Sequence, residues 1–383
     1  MMDVPHPNIT PLSFIFTIAI AIGFFLSVVL FLSRKGNTRA NKFLSILIFL
    51  FSIVQIWDFL MQTRLILQVP NMVMVVNPLI LLLGPFVYFY VKSLTHIHWK
   101  FNARLAVHFI PAIAFYVYFT PVYLLTEQEK FRFISDAFQN HKFIIPKTFY
   151  IVAVVQIFSY LISSIKILFE HARYIKDTFS FTERVNLNWL KRFLVIFILL
   201  WLSFALRSLY PIRMIWEISA CLSVLSMYIV GYFGYNQPVI FQQTPGTEGP
   251  ILTKEEIKKY ASSPLTEAET SAYVHRLRAL MENEKLFLRS DLKIGTVADR
   301  AGIPVHHVSQ IINEKLGKNF FDFVNEYRVN EVKKRFADSQ YDALTILAIG
   351  FDSGFNSKTA FYSAFKRNTG VIPSEFKKHL SIH

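Results

Sequence analysis

Residues 294–316, IGTVADRAGIPVHHVSQIINEKL, decide the fold of the C-terminal part of this 383-residue chain. Apolar Val297, Ala298 and Ala301 lie along one stripe of a short helix from Ile294 to Ala301. Gly302 then offers the positive φ of a turn, and Pro304 suits the first turn of a second helix running to about Leu316. Small Ala298 lets the two helices cross closely, while Val308, Ile311 and Ile312 bury the second against the first. Two short helices about a glycine turn are a helix-turn-helix unit. Its outward face carries His306, His307, Ser309, Gln310 and Asn313.

Working outward, the pattern recurs. Ala343 to Gly350 reads as a helix, Gly354 and Phe355 as a turn, and Ser357 to Arg367 as a second helix with Phe361 and Phe365 inward. Asn356, Ser357, Lys358, Thr359, Tyr362, Ser363, Lys366 and Arg367 face outward. Between the units, Phe320 to Ala337 forms one longer helix, a rigid spacer. Phe320, Phe321, Phe323, Val324, Val329, Val332 and Phe336 are available for burial, and Arg328, Lys333, Lys334 and Arg335 form a polar side that meets phosphate or solvent. Ala272 to Glu282 makes an amphipathic helix before the first unit, and Pro373 opens a short helix after the second. A helix of this width fits a DNA major groove, where Gln and Asn read adenine edges and basic or hydroxyl groups touch phosphate. Adjacent His306 and His307 point about 100° apart on a helix, which disfavours a shared metal.

From Leu292 to Phe376 the sequence resembles the DNA-binding domain of the AraC/XylS family. Val297-Ala298 and Gly302-Ile303 match the inner helix and turn of its first unit, and Phe320 with Tyr327-Arg328-Val329 matches its connecting helix. Gly354-Phe355, Phe361, Phe365-Lys366, Gly370 and Pro373 match its second unit. Gly350 stands where the family usually carries alanine, and Ile372 where it usually carries a hydroxyl residue. The resemblance implies two recognition helices in successive major grooves, with double-stranded DNA and RNA polymerase as partners and activation or repression as outcome.

The rest of the chain is of another kind. Hydrophobic residues make up 53% of the sequence and its mean hydropathy is +0.37, too apolar for a wholly soluble protein. Apolar runs long enough to cross about 30 Å of hydrocarbon lie near Leu12 to Ser33, Phe43 to Thr63, Met72 to Val91, Leu105 to Leu124, Phe149 to Leu168, Phe193 to Tyr210 and Met214 to Phe233. The expected architecture is all-α, with a polytopic bundle of about seven transmembrane helices over residues 1–235. A breaker-rich linker over 236–265 follows, with a short helix expected from Glu255 to Tyr260. A cytoplasmic domain over 266–383 then carries helix-turn-helix units near 294–316 and 343–367.

Basic residues collect in alternate loops: Arg34, Lys35, Arg39 and Lys42; Lys92, Lys100 and Arg104; Arg173, Lys176, Arg184, Lys191 and Arg192. With those loops inside, the N-terminus is outside and everything after Tyr235 is cytoplasmic at a bacterial inner membrane. The fourth loop, mixing Lys130, Arg132, Lys142 and Lys147 with Glu127, Glu129 and Asp136, departs from the pattern. Asp58 and Arg207 are charges within apolar runs, where a charge costs a few kcal/mol. They form an intramembrane pair lining an outward cavity, or Arg207 snorkels and Asp58 sits in the interfacial layer. His96, His98 and His108 fit a headgroup-level loop better than a metal site.

A net charge of +14 suits nucleic acid or anionic lipid alike. The single cysteine, Cys221, excludes an intrachain disulfide. No Gly-rich phosphate loop, His-Glu-x-x-His pair, Cys-x-x-Cys or Gly-x-Ser-x-Gly elbow is present, so neither an enzyme nor a cofactor is expected. The expectation is a regulator joining an unknown small-molecule or membrane signal to transcription, as monomer or homodimer. A receptor or transporter whose cytoplasmic domain binds a protein is the alternative.

Overall fold

In hydrocarbon, backbone polar groups have no water to bond, so long apolar runs close as helices. The computed structural model describes residues 7–96, 99, 102–140, 144–181, 187–209, 213–235 and 265–380. The first apolar runs form α1 (Pro11–Leu32), α2 (Thr38–Gln62), α3 (Ile80–Thr95) and α4 (Ile110–Tyr123). Then come α5 (Glu127–Gln139), α6 (Lys147–Thr178), α7 (Asn188–Leu209) and α8 (Arg213–Tyr235). Six segments are long and apolar enough to cross a membrane: Pro11–Leu32, Thr38–Gln62, Pro70–Thr95, Ala103–Tyr123, Lys147–Thr178 and Asn188–Leu206. The seventh expected run is helical as α8, though only its stretch Glu217–Ser226 is a short apolar helix by the same measure.

The chain divides into two compact units, residues 1–169 with 187–239 and residues 170–186 with 240–383. In the first, Phe14, Phe25, Val117, Val155 and Phe169 are all more than half exposed. Such side chains on helices that also bury Phe16, Phe119 and Phe149 form an apolar outer face, as lipid-facing helices do. Polar residues turn inward: Ser45 Oγ donates to the Ser27 carbonyl at 2.6 Å, and Gln55 Nε2 to Ser223 Oγ at 2.6 Å. The fourth loop folds as α5, capped by Thr126 and Glu129, which bond each other's backbone N–H. Its Lys130 is buried, donating to Asn71 Oδ1 at 3.1 Å and the Tyr123 carbonyl at 3.0 Å. One of the charges that broke the loop pattern is therefore spent on an internal contact.

The second unit is helical with no strand among its described residues. It comprises α9 (Glu267–Glu282), α10 (Ile294–Ala301), α11 (Val305–Gln310), α12 (Phe320–Phe336), α13 (Ile346–Asp352), α14 (Lys358–Thr369) and α15 (Pro373–Leu380). Buried apolar residues within 265–380 sort into two cores, and Ile175 and Phe179 form a smaller cluster. Leu277, Met281, Leu292, Val297, Val308, Ile311 and Ile312 surround the first half of α12 through Phe320, Phe323 and Val324. Ile349, Phe355, Phe361 and Phe365 surround its second half through Val329, Val332 and Phe336. One helix thus belongs to both cores, and among the described residues of this unit only Leu344, Phe351 and Leu380 are exposed large hydrophobics. The linker residues 236–264, the helix expected from Glu255 to Tyr260, and Lys100, His98, His141, Lys142 and Arg184 lie outside the described residues.

Candidate DNA-binding surface

The first helix-turn-helix is closed by its glycine. Gly302 adopts φ 61° at the C-cap of α10, and the following N–H of Ile303 donates to the Ala298 carbonyl at 3.1 Å. Pro304 stands at the N-cap of α11, one position earlier than the first-turn place expected of it. The helix does not stay regular to Leu316. From Ile311 to Lys315 it widens into a π turn, with the Leu316 N–H reaching the Ile311 carbonyl at 3.1 Å. Ile311 and Ile312 are both fully buried along this turn.

On the outer face, Asn313 is exposed, while Ser309, Gln310 and His306 are half-buried. Two i,i+4 pairs order it: Asn313 Nδ2 to Ser309 Oγ at 3.3 Å and Gln310 Nε2 to Glu314 Oε2 at 3.0 Å. His307 is placed differently, with its ring 6.1 Å from Tyr273 of α9 and 4.1 Å from the ring of His306. Burial and the neighbouring His307 lower the pKa of His306 from its ordinary value.

The second helix-turn-helix begins with α13, N-capped by Thr345, whose Oγ1 accepts from Ala348 at 3.1 Å. Gly350 lies against Phe361, and a Cβ there would sit 2.7 Å from that ring. Glycine at this position lets the Phe361 ring approach this closely. Gly354 holds φ 94° with its α-carbon against the Phe287–Leu288 backbone of the first core. Ser357 caps α14 by accepting from Ala360 at 3.1 Å. Lys358, Thr359, Ser363, Lys366 and Arg367 are exposed on α14, and Asn356, Ser357 and Tyr362 are half-buried. Lys358 Nζ lies over the Tyr362 ring at 5.6 Å. Arg367 is engaged sideways, paired with Asp322 of α12 and 5.5 Å from the Phe321 ring. The residues expected at DNA therefore fall into two groups, one on the α11 turn and one on α14, and each group is carried by its own core.

Arg328 is the residue that sequence reading misplaced. Expected on the polar side of the connecting helix, it is 2% exposed at the junction between the two cores. Its guanidinium donates to the Phe287 carbonyl at 2.8 Å, the Ser180 carbonyl at 2.9 Å, Asn325 Oδ1 at 3.2 Å, Ser180 Oγ at 3.0 Å and the Arg289 carbonyl at 2.7 Å. Burial pushes its pKa down to about 9, which leaves it charged at neutral pH.

In the first unit, a cavity of about 50 Å³ is lined by Gln55, Asp58, Asn77, Trp201, Ser219 and Ser223 together with apolar and aromatic neighbours. Asn77 Oδ1 and Trp201 Nε1 are buried and have no hydrogen-bond partner among the described residues. Asp58 is thus placed on a cavity, while the side chain of Arg207 lies outside the described residues. His108 Nδ1 bonds the Tyr160 hydroxyl at 2.6 Å, and His96 Nδ1 the Thr95 hydroxyl at 2.9 Å.

Residues 297–379 match the family model described as "Helix-turn-helix domain". The domain is of the AraC type. It is similar to an uncharacterized HTH-type transcriptional regulator of Staphylococcus aureus strain COL, 29% identical over 93 residues, which are 24% of this chain and 12% of that protein. The probable transcription factor PqrA of Proteus vulgaris is 26% identical over 88 residues, 23% of this chain and 70% of its own length. The HTH-type transcriptional regulator GlxA of Rhizobium meliloti is 26% identical over 102 residues, 27% of this chain and 31% of its own. The match thus spans a small part of the staphylococcal relatives. A solved protein of unknown function from Listeria innocua aligns over 30% of this chain and 98% of its own, at 22% identity and a TM-score of 0.25. The matched helix-turn-helix domain and the likeness to these two regulators, PqrA and GlxA, support DNA-binding regulation.

Proposed function

We propose that the chain is a membrane-bound, sequence-specific transcriptional regulator. Its apolar helices hold it in a bacterial inner membrane with the N-terminus outside, and its AraC-type domain reads operator DNA in the cytoplasm. The observation that carries this reading is the contrast between the two units. One exposes large apolar side chains on helices of spanning length such as α1, α4 and α6, whereas the other buries nearly all of them and exposes Lys358, Thr359, Ser363 and Lys366 on α14 and Asn313 beside half-buried Gln310 on the α11 turn. A recognition helix in each helix-turn-helix, on one rigid connecting helix, suits two successive major grooves. The largely apolar cavity bearing Asn77 and Trp201 supports an input role for the membrane half, since a small ligand there would meet one acceptor and one donor that have no partner among the described residues.

The test is selection from random duplexes by the full chain in lipid nanodiscs, at several salt concentrations. A site with two contact blocks about one helical turn apart is expected. Lys358→Ala should weaken binding to all duplexes and reduce the salt slope by about 1, whereas Gln310→Ala should cost about 1–3 kcal/mol and relax the preference at one position. Absence of any enriched duplex at low salt would refute the reading and favour a protein partner.

A further inference from the structure

The second unit includes chain from far outside the helix-turn-helix region. Residues 170–186 belong to it, and Ser180 meets Arg328 across 148 positions of sequence. The contact is extensive for so few residues. Ser180 supplies two of the five acceptors around the Arg328 guanidinium, and its own N–H donates to the Leu292 carbonyl at 3.1 Å. Phe179 pairs with Lys293 in an isolated antiparallel bridge, and Lys293 Nζ lies 5.9 Å from the Phe179 ring centroid. No slack precedes this segment, because the Phe179 N–H still donates to the Ile175 carbonyl of α6 at 2.9 Å.

A guanidinium has five N–H donors, and burying it is tolerated only when all of them are met. Here the C-terminal sequence supplies three partners: the Phe287 and Arg289 carbonyls and Asn325. The other two come from Ser180. The site is therefore incomplete without a segment that follows directly from α6. Its position matters as well. Arg328 lies where α12 passes from the first core to the second, and its guanidinium is 5.8 Å from the ring of Phe355 in the second turn.

We propose that Phe179 and Ser180 form a docking strand, seated on Arg328, Leu292 and Lys293, through which α6 braces the two helix-turn-helix units for simultaneous contact with DNA. The proposal rests on the regulator reading above and names its intramolecular partner. Among the described residues, the contacts of Phe179 and Ser180 across to the C-terminal sequence fall on Arg328, Leu292 and Lys293 and not on α11 or α14, so the strand acts by bracing and not by masking a recognition helix. When the strand leaves, two donors of Arg328 must draw water into the seam between the cores. Each unit then keeps its own core, but the fixed spacing that makes the second groove contact effectively intramolecular is lost.

The experiment uses the full chain in nanodiscs with Cys221→Ser, so that no other thiol is present. Phe179→Cys and Lys293→Cys are introduced together, since bridged antiparallel residues lie about 4.5–5.5 Å apart at Cα, within the span a disulfide accepts. Oxidation should join them in high yield, while Phe179→Cys with Lys315→Cys should not join. Ser180→Ala, which removes one bond to a charged donor, should weaken binding to the enriched duplex by up to about tenfold. In the oxidised Phe179→Cys, Lys293→Cys background the same Ser180→Ala change should weaken it by less than about twofold, and reduction should restore the loss. A low crosslink yield overturns the docking, and equal duplex affinity in wild type, Ser180→Ala and the reduced and oxidised pair overturns the bracing. If wild type binds no duplex yet the crosslink forms, the regulator reading fails and the bracing role falls with it, while the docking contact stands on the yield alone.

Discussion

Gly302 and Gly354 occupy equivalent turns, yet the structure sets them in different surroundings, and replacing each by alanine separates the two effects. At Gly302, φ 61° is in the left-handed region, and the nearest atom to an added Cβ is Arg276 Nη1 at 3.8 Å. Gly302→Ala therefore carries only the backbone term, about 1–2 kcal/mol. At Gly354, φ is 94°, and an added Cβ would meet the Phe287 carbonyl oxygen and lie 2.9 Å from Leu288 Cα. These are backbone atoms and cannot rotate away. Overpacking against them adds about 1–3 kcal/mol. The Phe287 carbonyl is also the acceptor for Arg328 Nε, so displacing it weakens a buried charge-assisted bond of about 1.5–3 kcal/mol. The terms overlap, and a total of about 4 kcal/mol is expected, an exceptional cost for one methyl group. Hydrogen exchange of the full chain in nanodiscs measures it, through the opening free energy of α12 amides. Gly354→Ala should raise their exchange on the order of a hundredfold over Gly302→Ala, and equal effects would refute the claim that the second turn is wedged against the first core.

Two other predictions concern the same domain. Gly350→Ala gains about 1 kcal/mol of helix propensity but forces the fully buried Phe361 ring away from a contact at 2.7 Å, at about 1–3 kcal/mol; denaturant unfolding should show net destabilisation, and a stabilised variant would mean that the ring shifts freely. His306 has a lowered pKa in the folded domain, so the fold binds fewer protons than the unfolded chain. Its contribution is present above the unfolded value near 6.5 and is lost as pH falls through the lowered folded value, and His306→Gln should flatten that acid slope in thermal melts.

Where local pattern carried the information, the sequence was readable. The helix Ile294–Ala301 stands at the bounds that its stripe and Gly302 imply, and the connecting helix buries all seven apolar residues assigned to it. The capping boxes Thr126/Glu129 and Thr266/Glu269 were also present in the sequence, and they would have started α5 and α9 where the structure starts them. The π turn at Ile311–Lys315 had no such signal. Arg328 was lost for a different reason: periodicity ranks a residue by its type, whereas a buried arginine is decided by acceptors that come from elsewhere in the chain. Two carbonyls of the Phe287–Arg289 stretch and a serine 148 positions away cannot be inferred from a helical wheel.

That same dependence makes Arg328 informative about design. Replacing a buried guanidinium by an apolar residue of similar size is often neutral for stability, so stability alone does not account for an arginine at this junction. Its acceptors tell more. They come from the stretch before the first helix-turn-helix, from the connecting helix itself and from the segment after α6, and its cation faces Phe355 in the second turn. An apolar side chain could fill the space but could not tie these four pieces into one geometry, because dispersion contacts have little directionality and hydrogen bonds have much. A guanidinium that needs all five acceptors is satisfied by one arrangement only. The arginine is thus better explained as a sensor of whether the four pieces are assembled than as a source of folding energy. Arg328→Met should therefore leave the helix content intact while loosening the dependence of DNA affinity on Ser180, and a double mutant in which Ser180→Ala still cost the same would count against it.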